Sequence, residues 1–147
     1  MRSLCMISVL AACMFAGCAS ERGESVIMPG FDFSSISEVA VLDPSGDIYG
    51  ETAKNQIADF FEMELMSKGY PCIARTRIKK LLDEQDFQAS DVTSNADVAK
   101  VGEILNVPVV MLVNIPKFES KMTVTAKLVQ VETGHILWIG EGSGSTG

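Results

Sequence analysis

The chain has 147 residues, which is room for one domain and rules out a (β/α)₈ barrel or a multidomain enzyme. Its 12 basic and 19 acidic side chains give a net charge of −7, which argues against the clustered positive surface of a nucleic-acid-binding protein. Apolar residues make up 47% of the chain, and the excess is concentrated at the N-terminus.

The first 17 residues are predicted to be a cleaved signal peptide. Arg2 precedes an apolar stretch over residues 4–16, which is the layout of a secretory signal. At about 1.5 Å per residue, such a helix covers only about 20 Å of the roughly 30 Å hydrocarbon core of a bilayer. The pattern therefore favours a removed signal over a transmembrane anchor.

The end of this stretch resembles the lipobox of bacterial lipoproteins, with Ala16 and Gly17 before Cys18. The resemblance implies cleavage after Gly17, a diacylglyceryl thioether on Cys18 and acylation of its new amino group. Several acyl chains hold a protein on a membrane durably, whereas one chain holds it only marginally. Ala19, where an Asp would signal retention, implies the outer membrane, with the domain facing the periplasm. An ordinary secretory signal cut near Ala16 or Ala19 is the alternative.

The cysteine count fits this interpretation. Cys5 and Cys13 leave with the signal and Cys18 carries lipid, so only Cys72 remains as a thiol. No intramolecular disulfide and no cysteine metal site are predicted. Cys72 is predicted to be a small buried residue on a strand.

The remaining chain predicts an α/β domain with a mixed sheet in two or three layers. Residues 18–35 are predicted to be the lipidated cysteine and a tether, whose apolar residues 26–28 and 31–33 could dock on the domain. Residues 36–141 form the domain, and residues 142–147 a flexible tail. Hydrophobic periodicity gives the order β-α-β-α-α-β-β-β, ending in an antiparallel hairpin. The strands fall at 39–43, 72–74, 109–113, 121–131 and 136–139, and the helices at 51–68, after Thr76 and after Ser94.

Two segments have features of an anion-binding site. Residues 46–52 follow a strand and open a helix, as a phosphate-binding loop does. The spacing is one residue short, however, and Glu51 stands where the loop needs lysine, so a turn is predicted. The basic cluster at residues 75–80 is followed by Asp83, Glu84 and Asp86, which indicates a solvated helix surface with charges of both signs.

Three other residues are candidate functional groups. Asp43 lies at the carboxyl end of a strand, a position often used by catalytic carboxylates, and His135 lies in a predicted hairpin turn. Trp138 lies in an apolar strand and is predicted to be core. No hydrolase, transferase or metal signature assembles from these residues, so the chain is predicted to be a non-enzyme without cofactor or metal. An enzyme using Asp43 or His135 is the alternative, and it requires a pocket that joins two titratable groups.

The order and spacing of these elements resemble the CsgG-type family, that of the curli production assembly/transport component. The residues that carry the resemblance are 39–42, the helix to Gly69, 73–75 leading into 81–85, 101–107, 109–113 and 129–137. It implies a periplasmic α/β lipoprotein, as a shortened relative, that binds proteins in secretion or cell-envelope assembly, and it permits a homo-oligomer.

The same resemblance leaves two other functions open. Relatives of the family include lipoproteins that activate peptidoglycan synthases, so an accessory activator is one alternative. A subunit of an oligomeric secretion channel is the other. Residues 114–121 are too few for a membrane-spanning hairpin, so another chain would have to supply the membrane strands. In each case the predicted partners are envelope or secretion proteins and the membrane, through the anchor.

Overall fold

The structure of the protein is a computed structural model that describes residues 22–88, 92, 94–118 and 120–145. The predicted signal peptide and Cys18 lie outside these residues. The described strands are β1 (Arg22–Ile27), β2 (Val39–Val41), β3 (Ser45–Gly46), β4 (Val109–Phe118), β5 (Lys121–Gln130) and β6 (Ile136–Ser145). The helices are α1 (Glu51–Ser67), α2 (Arg75–Glu84) and α3 (Asn95–Leu105), with a short 3₁₀ turn at Phe33–Ser35. None of the described helices combines the length and apolarity needed to cross a bilayer.

The strands form one mixed sheet in the order β1-β6-β5-β4-β2, with β3 also beside β4. β2 and β3 run parallel to β4, whereas β4, β5, β6 and β1 pair antiparallel. The predicted α/β class with a mixed sheet and a closing antiparallel hairpin is therefore confirmed.

Helices cover both faces of the sheet, so the domain has three layers. Successive residues of β2 and β4 point to opposite faces, as pleating requires. Val41 and Met111 pack with Ala58 and Leu65 of α1. On the other face, α2 and α3 bury the residues Ala40, Leu42, Val110, Val129, Ile78, Leu82, Val98, Val101 and Leu105.

Local chemistry sets the helix ends. Asp97 N–H donates to Ser94 Oγ at 3.2 Å, and Ser94 N–H donates to Asp97 Oδ2 at 2.8 Å, which is the predicted capping box of α3. Gly69 follows the end of α1 with φ +88°, a conformation that favours glycine. The predicted cap at Thr76 is wrong. α2 begins at Arg75, two residues before the predicted start, and Ala74 is its N-cap without a side-chain bond.

Three predicted segments differ in the structure. Residues 22–35 are not a plain tether, because Arg22–Ile27 forms β1 along β6. Residues 142–145 are not a free tail, because β6 continues to Ser145 between β1 and β5. The predicted strand at 72–74 is only a single bridge between Cys72 and Val39. The first two pairings join distant parts of the chain, which local periodicity does not reveal.

The two ends of the sheet carry different residues. At one end β1 begins, β6 finishes and the β4–β5 turn lies, since Arg22 pairs with Ser143 and Lys121 with Ser145. We call this the Arg22 end. At the other end lie the β5–β6 turn with His135 and the last residue of β1, Ile27. We call this the His135 end.

Candidate functional site

A polar cavity of about 640 Å³ lies beyond the carboxyl end of β2, against the first turns of α1 and α2. Asp43, which follows β2, lines it together with Arg75 at the start of α2. In α/β folds ligands bind at this kind of place, outside the carboxyl ends of parallel strands. The fold thus brings together two features that the sequence presents far apart, the strand-end carboxylate and the basic cluster.

Arg75 holds the cavity wall together. Its guanidinium lies 3.3 Å from Asp43 and 3.2 Å from Asp59, and it donates to the carbonyl of Asn55 at 3.1 Å. It also donates to the side chain of Asn55. These contacts connect the end of β2 to α1 and α2. Arg75 therefore stabilises the fold and is not the solvated charge that the sequence predicts.

The charges around the cavity balance. The cations are Arg75, Lys54 and Lys79, and the carboxylates are Asp43, Glu51 and Asp83. Glu51 also pairs with Lys54 at 3.9 Å. A strongly anionic ligand would meet as many carboxylates as cations here. The segment 46–52 behaves as the predicted turn, with Gly46 and Gly50 at φ +97° and +88°.

The alternative of an enzyme needs two titratable groups in one pocket, and the structure places Asp43 and His135 apart. Asp43 follows β2 and lies level with the middle of β4, whereas His135 is exposed in the β5–β6 turn at the His135 end and does not line the cavity that Asp43 lines. The backbone N–H of His135 donates to Thr133 Oγ1 at 3.2 Å, which is ordinary turn chemistry. The pocket joining Asp43 to His135 is therefore not formed.

Cys72 and Glu62 form a second, half-buried group on the α1 side of the sheet. Burial, together with the smaller effect of the Glu62 and Glu38 carboxylates, raises the pKa of the Cys72 thiol to about 11. Burial also raises the pKa of Glu62, against the opposing effect of Arg75. The prediction of a fully buried Cys72 is therefore only partly right, but the thiol stays protonated at neutral pH.

We expect Cys72 to react slowly with maleimide at pH 7, because the thiolate is the nucleophile. The rate should rise about tenfold per pH unit to near pH 11, the value of the thiol pKa. Mass spectrometry of the peptide carrying Cys72 would measure this rate. Glu62→Gln removes a neighbouring carboxylate and should speed the reaction at pH 8. A rate that levels off near pH 8.5 would contradict the raised pKa.

An exposed apolar surface lies at the His135 end, where β1 meets β6. Val26 is 68% exposed and Ile27 is 58% exposed, and Met28 and Ile136 are exposed beside them. A shallow depression of about 380 Å³ lies among these residues. β1 is also the outer strand of the sheet, so its second edge has no neighbouring strand among the described residues. We call this set, residues 26–28 with Ile136, the β1 surface.

A second apolar region lies between α1 and the sheet. Phe60 and Phe61 of α1 face a floor of β6 glycines in a groove of about 790 Å³. The Trp138 ring lies over Gly140, where an added Cβ would come within 2.4 Å of it. Trp138 packs against the core but is only half-buried, so its prediction as a core residue is partly right. Phe60 is exposed, whereas Ala58 of the same helix is buried in the core.

The β1 surface is the feature that sequence reasoning missed. The sequence left open whether residues 26–28 dock on the domain, and in the structure they form an exposed edge. Of the same segment, Phe31 and Phe33 do pack against the core. Three adjacent apolar residues before Pro29 were the available signal, but periodicity cannot tell a docked segment from an exposed edge strand.

Together these features define a small three-layer α/β domain with a charge-balanced cavity and an exposed apolar edge strand. No protein-family model matches the chain, and no curated protein sequence matches it either. Solved structures do share its fold. The LpoB C-terminal domain from Escherichia coli is 15% identical with a TM-score of 0.60, covering 81% of this chain and 90% of that one.

Two further structures are similar. Lipoprotein GNA1162 from Neisseria meningitidis is 17% identical with a TM-score of 0.59, covering 76% of this chain and 81% of that one. The PelC dodecamer from Paraburkholderia phytofirmans is 13% identical with a TM-score of 0.56, covering 85% and 81%. At these identities the likeness establishes the fold.

These findings correct the family expected from the sequence. The similar structures are of LpoB, GNA1162 and PelC, so the CsgG-type interpretation is wrong. Its motifs consisted of packing and turn residues in a common order, and many α/β domains share these. The expected curli role does not follow either.

Proposed function

We propose that the protein is an outer-membrane-anchored, periplasm-facing lipoprotein that activates a peptidoglycan synthase by binding it. What supports the partner class is the fold shared with LpoB, an outer-membrane lipoprotein that activates such a synthase. Cys18 in its lipobox supports the anchor, and Ala19 supports the outer membrane. The protein acts by contact and not by its own chemistry.

The single observation that carries the binding role is the β1 surface. Monomeric soluble proteins rarely expose large contiguous apolar patches, and such patches mark interaction sites. An outer strand also offers unpaired backbone groups to a partner's extended segment. Val26 and Ile27 thus provide apolar contacts beside a free strand edge.

Ile27→Glu is expected to weaken binding to the periplasmic part of a peptidoglycan synthase about tenfold or more, since it places a charge inside the contact. Stimulation of the synthase should fall in parallel. Calorimetry and a synthase activity assay would measure the two effects.

Thr76→Glu is the matched control for this variant. It adds the same charge on an exposed residue of α2, outside the β1 surface. We expect it to bind and stimulate as the unaltered protein does. If Ile27→Glu also binds and stimulates normally, the β1 surface is not the partner site.

A homo-oligomer is the second candidate, supported by the likeness to a PelC dodecamer. In that case the free edge of β1 would contact another copy of this chain. Native mass measurement of the detergent-solubilised protein separates the two proposals, because a monomer in detergent removes the second.

A further inference from the structure

The distance between the proposed anchor and the first strand is short. Only residues 19–21 separate Cys18 from Arg22, where β1 begins. Four fully extended residue steps span about 14 Å at most. If Cys18 carries lipid, as the proposed function holds, β1 must begin within that distance of the bilayer surface.

The sheet topology extends this constraint to a whole end of the domain. The end of β6, the start of β5 and the β4–β5 turn lie level with the start of β1, since Arg22 pairs with Ser143 and Lys121 with Ser145. Neighbouring strands are about 4.8 Å apart, so β5 lies only about 10 Å to the side of β1. The Arg22 end as a whole is therefore held near the membrane.

The side chains at this end suit a lipid interface. Tyr49, in the turn before α1, is 87% exposed and lines a depression of about 450 Å³ with Met122 of β5. Tyrosine favours the headgroup region, where its ring is buried and its hydroxyl stays wet. The adjacent Lys121 is exposed and can extend its ammonium to the phosphates.

The charge at this end is mixed. Asp47 lines the same depression as Tyr49, and Glu51 follows shortly afterwards in α1. Lys121 therefore does not make the end strongly cationic. An aromatic and apolar contact with a phospholipid surface fits these residues better than attraction to anionic lipid.

We propose that the Arg22 end is a membrane-facing surface, seated on the phospholipid bilayer with Tyr49 and Met122 at the interface. The short segment after Cys18 holds the domain in this orientation. The His135 end then points into the periplasm. Ile27 lies five residues along β1 from Arg22, so the β1 surface stands about 17 Å further from the bilayer and stays open to a partner.

Depth-dependent fluorescence quenching tests the orientation. The lipidated protein, carrying Cys72→Ser, is labelled at Lys121→Cys or, as the matched control, at His135→Cys. Each is reconstituted into phosphatidylethanolamine/phosphatidylglycerol vesicles containing headgroup-quencher lipids. We expect position 121 to be quenched at least about twofold more than position 135, since ten-residue strands separate the two ends by about 30 Å. Equal quenching, or stronger quenching at 135, overturns the proposal.

A second variant tests the lipid contact itself. In the protein labelled at position 121, Tyr49→Ser should reduce quenching, and adding 0.5 M NaCl should leave it nearly unchanged because the contact is not chiefly ionic. Unchanged quenching with Tyr49→Ser, or a large loss in salt, overturns the assigned contact.

Failure of the proposed lipid anchor would give a different experimental result from failure of the proposed orientation. A chain without lipid on Cys18 would lack the diacylglyceryl mass and would not sediment with the vesicles.

Discussion

Gly102→Ala is expected to lower the free energy of unfolding by about 2 kcal/mol. Gly102 lies in α3, and an added Cβ would come within 2.2 Å and 2.5 Å of the two γ-carbons of Val131, the residue that follows β5. Overpacking against a stiff β-branched side chain costs up to about 3 kcal/mol, and the better helix propensity of alanine returns about 1 kcal/mol. The midpoint of thermal unfolding should fall by about 8 °C, measured by circular dichroism.

Val131→Ala provides the matched test of this cause, because it removes both γ-carbons. In the double variant the new methyl group enters the vacated space. The two changes should therefore be non-additive, with a coupling of about 1 kcal/mol or more in a double-mutant cycle. Additive losses would mean that the close approach of α3 to Val131 is not what requires glycine at position 102.

Much of the fold could be predicted from residues near each other in sequence. Ser94 and Asp97 fix the start of α3 by two hydrogen bonds across three residues, so the pattern is visible without tertiary structure. β4 was predicted from an unbroken apolar run, and both faces of its first half are indeed buried. Such elements depend on local chemistry and on burial alone.

The missed elements depend on contacts between distant residues. β1 pairs with β6 across more than a hundred residues, and its polar and apolar residues do not alternate. The end of β6 has alternating glycines, which indicate flexibility when seen alone. In the fold this end lies between two strands, and Gly140 gives room to the Trp138 ring. Composition cannot show that a neighbouring strand will satisfy these backbone groups.

The candidate sites, too, could be predicted only where they depend on residues near each other in sequence. Asp43 and the basic cluster were each noticed, but their pairing through Arg75 depends on where two chain segments end beside each other. The β1 surface is exposed because none of the described elements covers it, and the sequence of these residues does not show that. The family expectation failed for a related reason, since the order of elements in an α/β domain reflects packing rules that unrelated functions share.

Cys18→Ala is expected to abolish membrane attachment. In the proposed lipoprotein the lipid is joined through the Cys18 sulfur, and alanine has no thiol to carry it. The variant should leave the outer-membrane fraction and lose the diacylglyceryl mass on the mature protein, as seen by fractionation and mass spectrometry. Cys72→Ala is the matched control, because it removes a thiol that stays protonated within the fold and should leave attachment unchanged.

Loss of the anchor should change the orientation of the domain as well as its location. Several acyl chains make attachment stable, and in the proposed orientation the short segment after Cys18 then sets which end of the domain meets the bilayer. A Cys18→Ala protein should still fold, with the same thermal midpoint, because Cys18 precedes the first strand. It should also bind its partner through the β1 surface in solution, while failing to act in the cell. Retention of the Cys18→Ala variant in the outer membrane would contradict the anchor and, with it, the orientation that the anchor imposes.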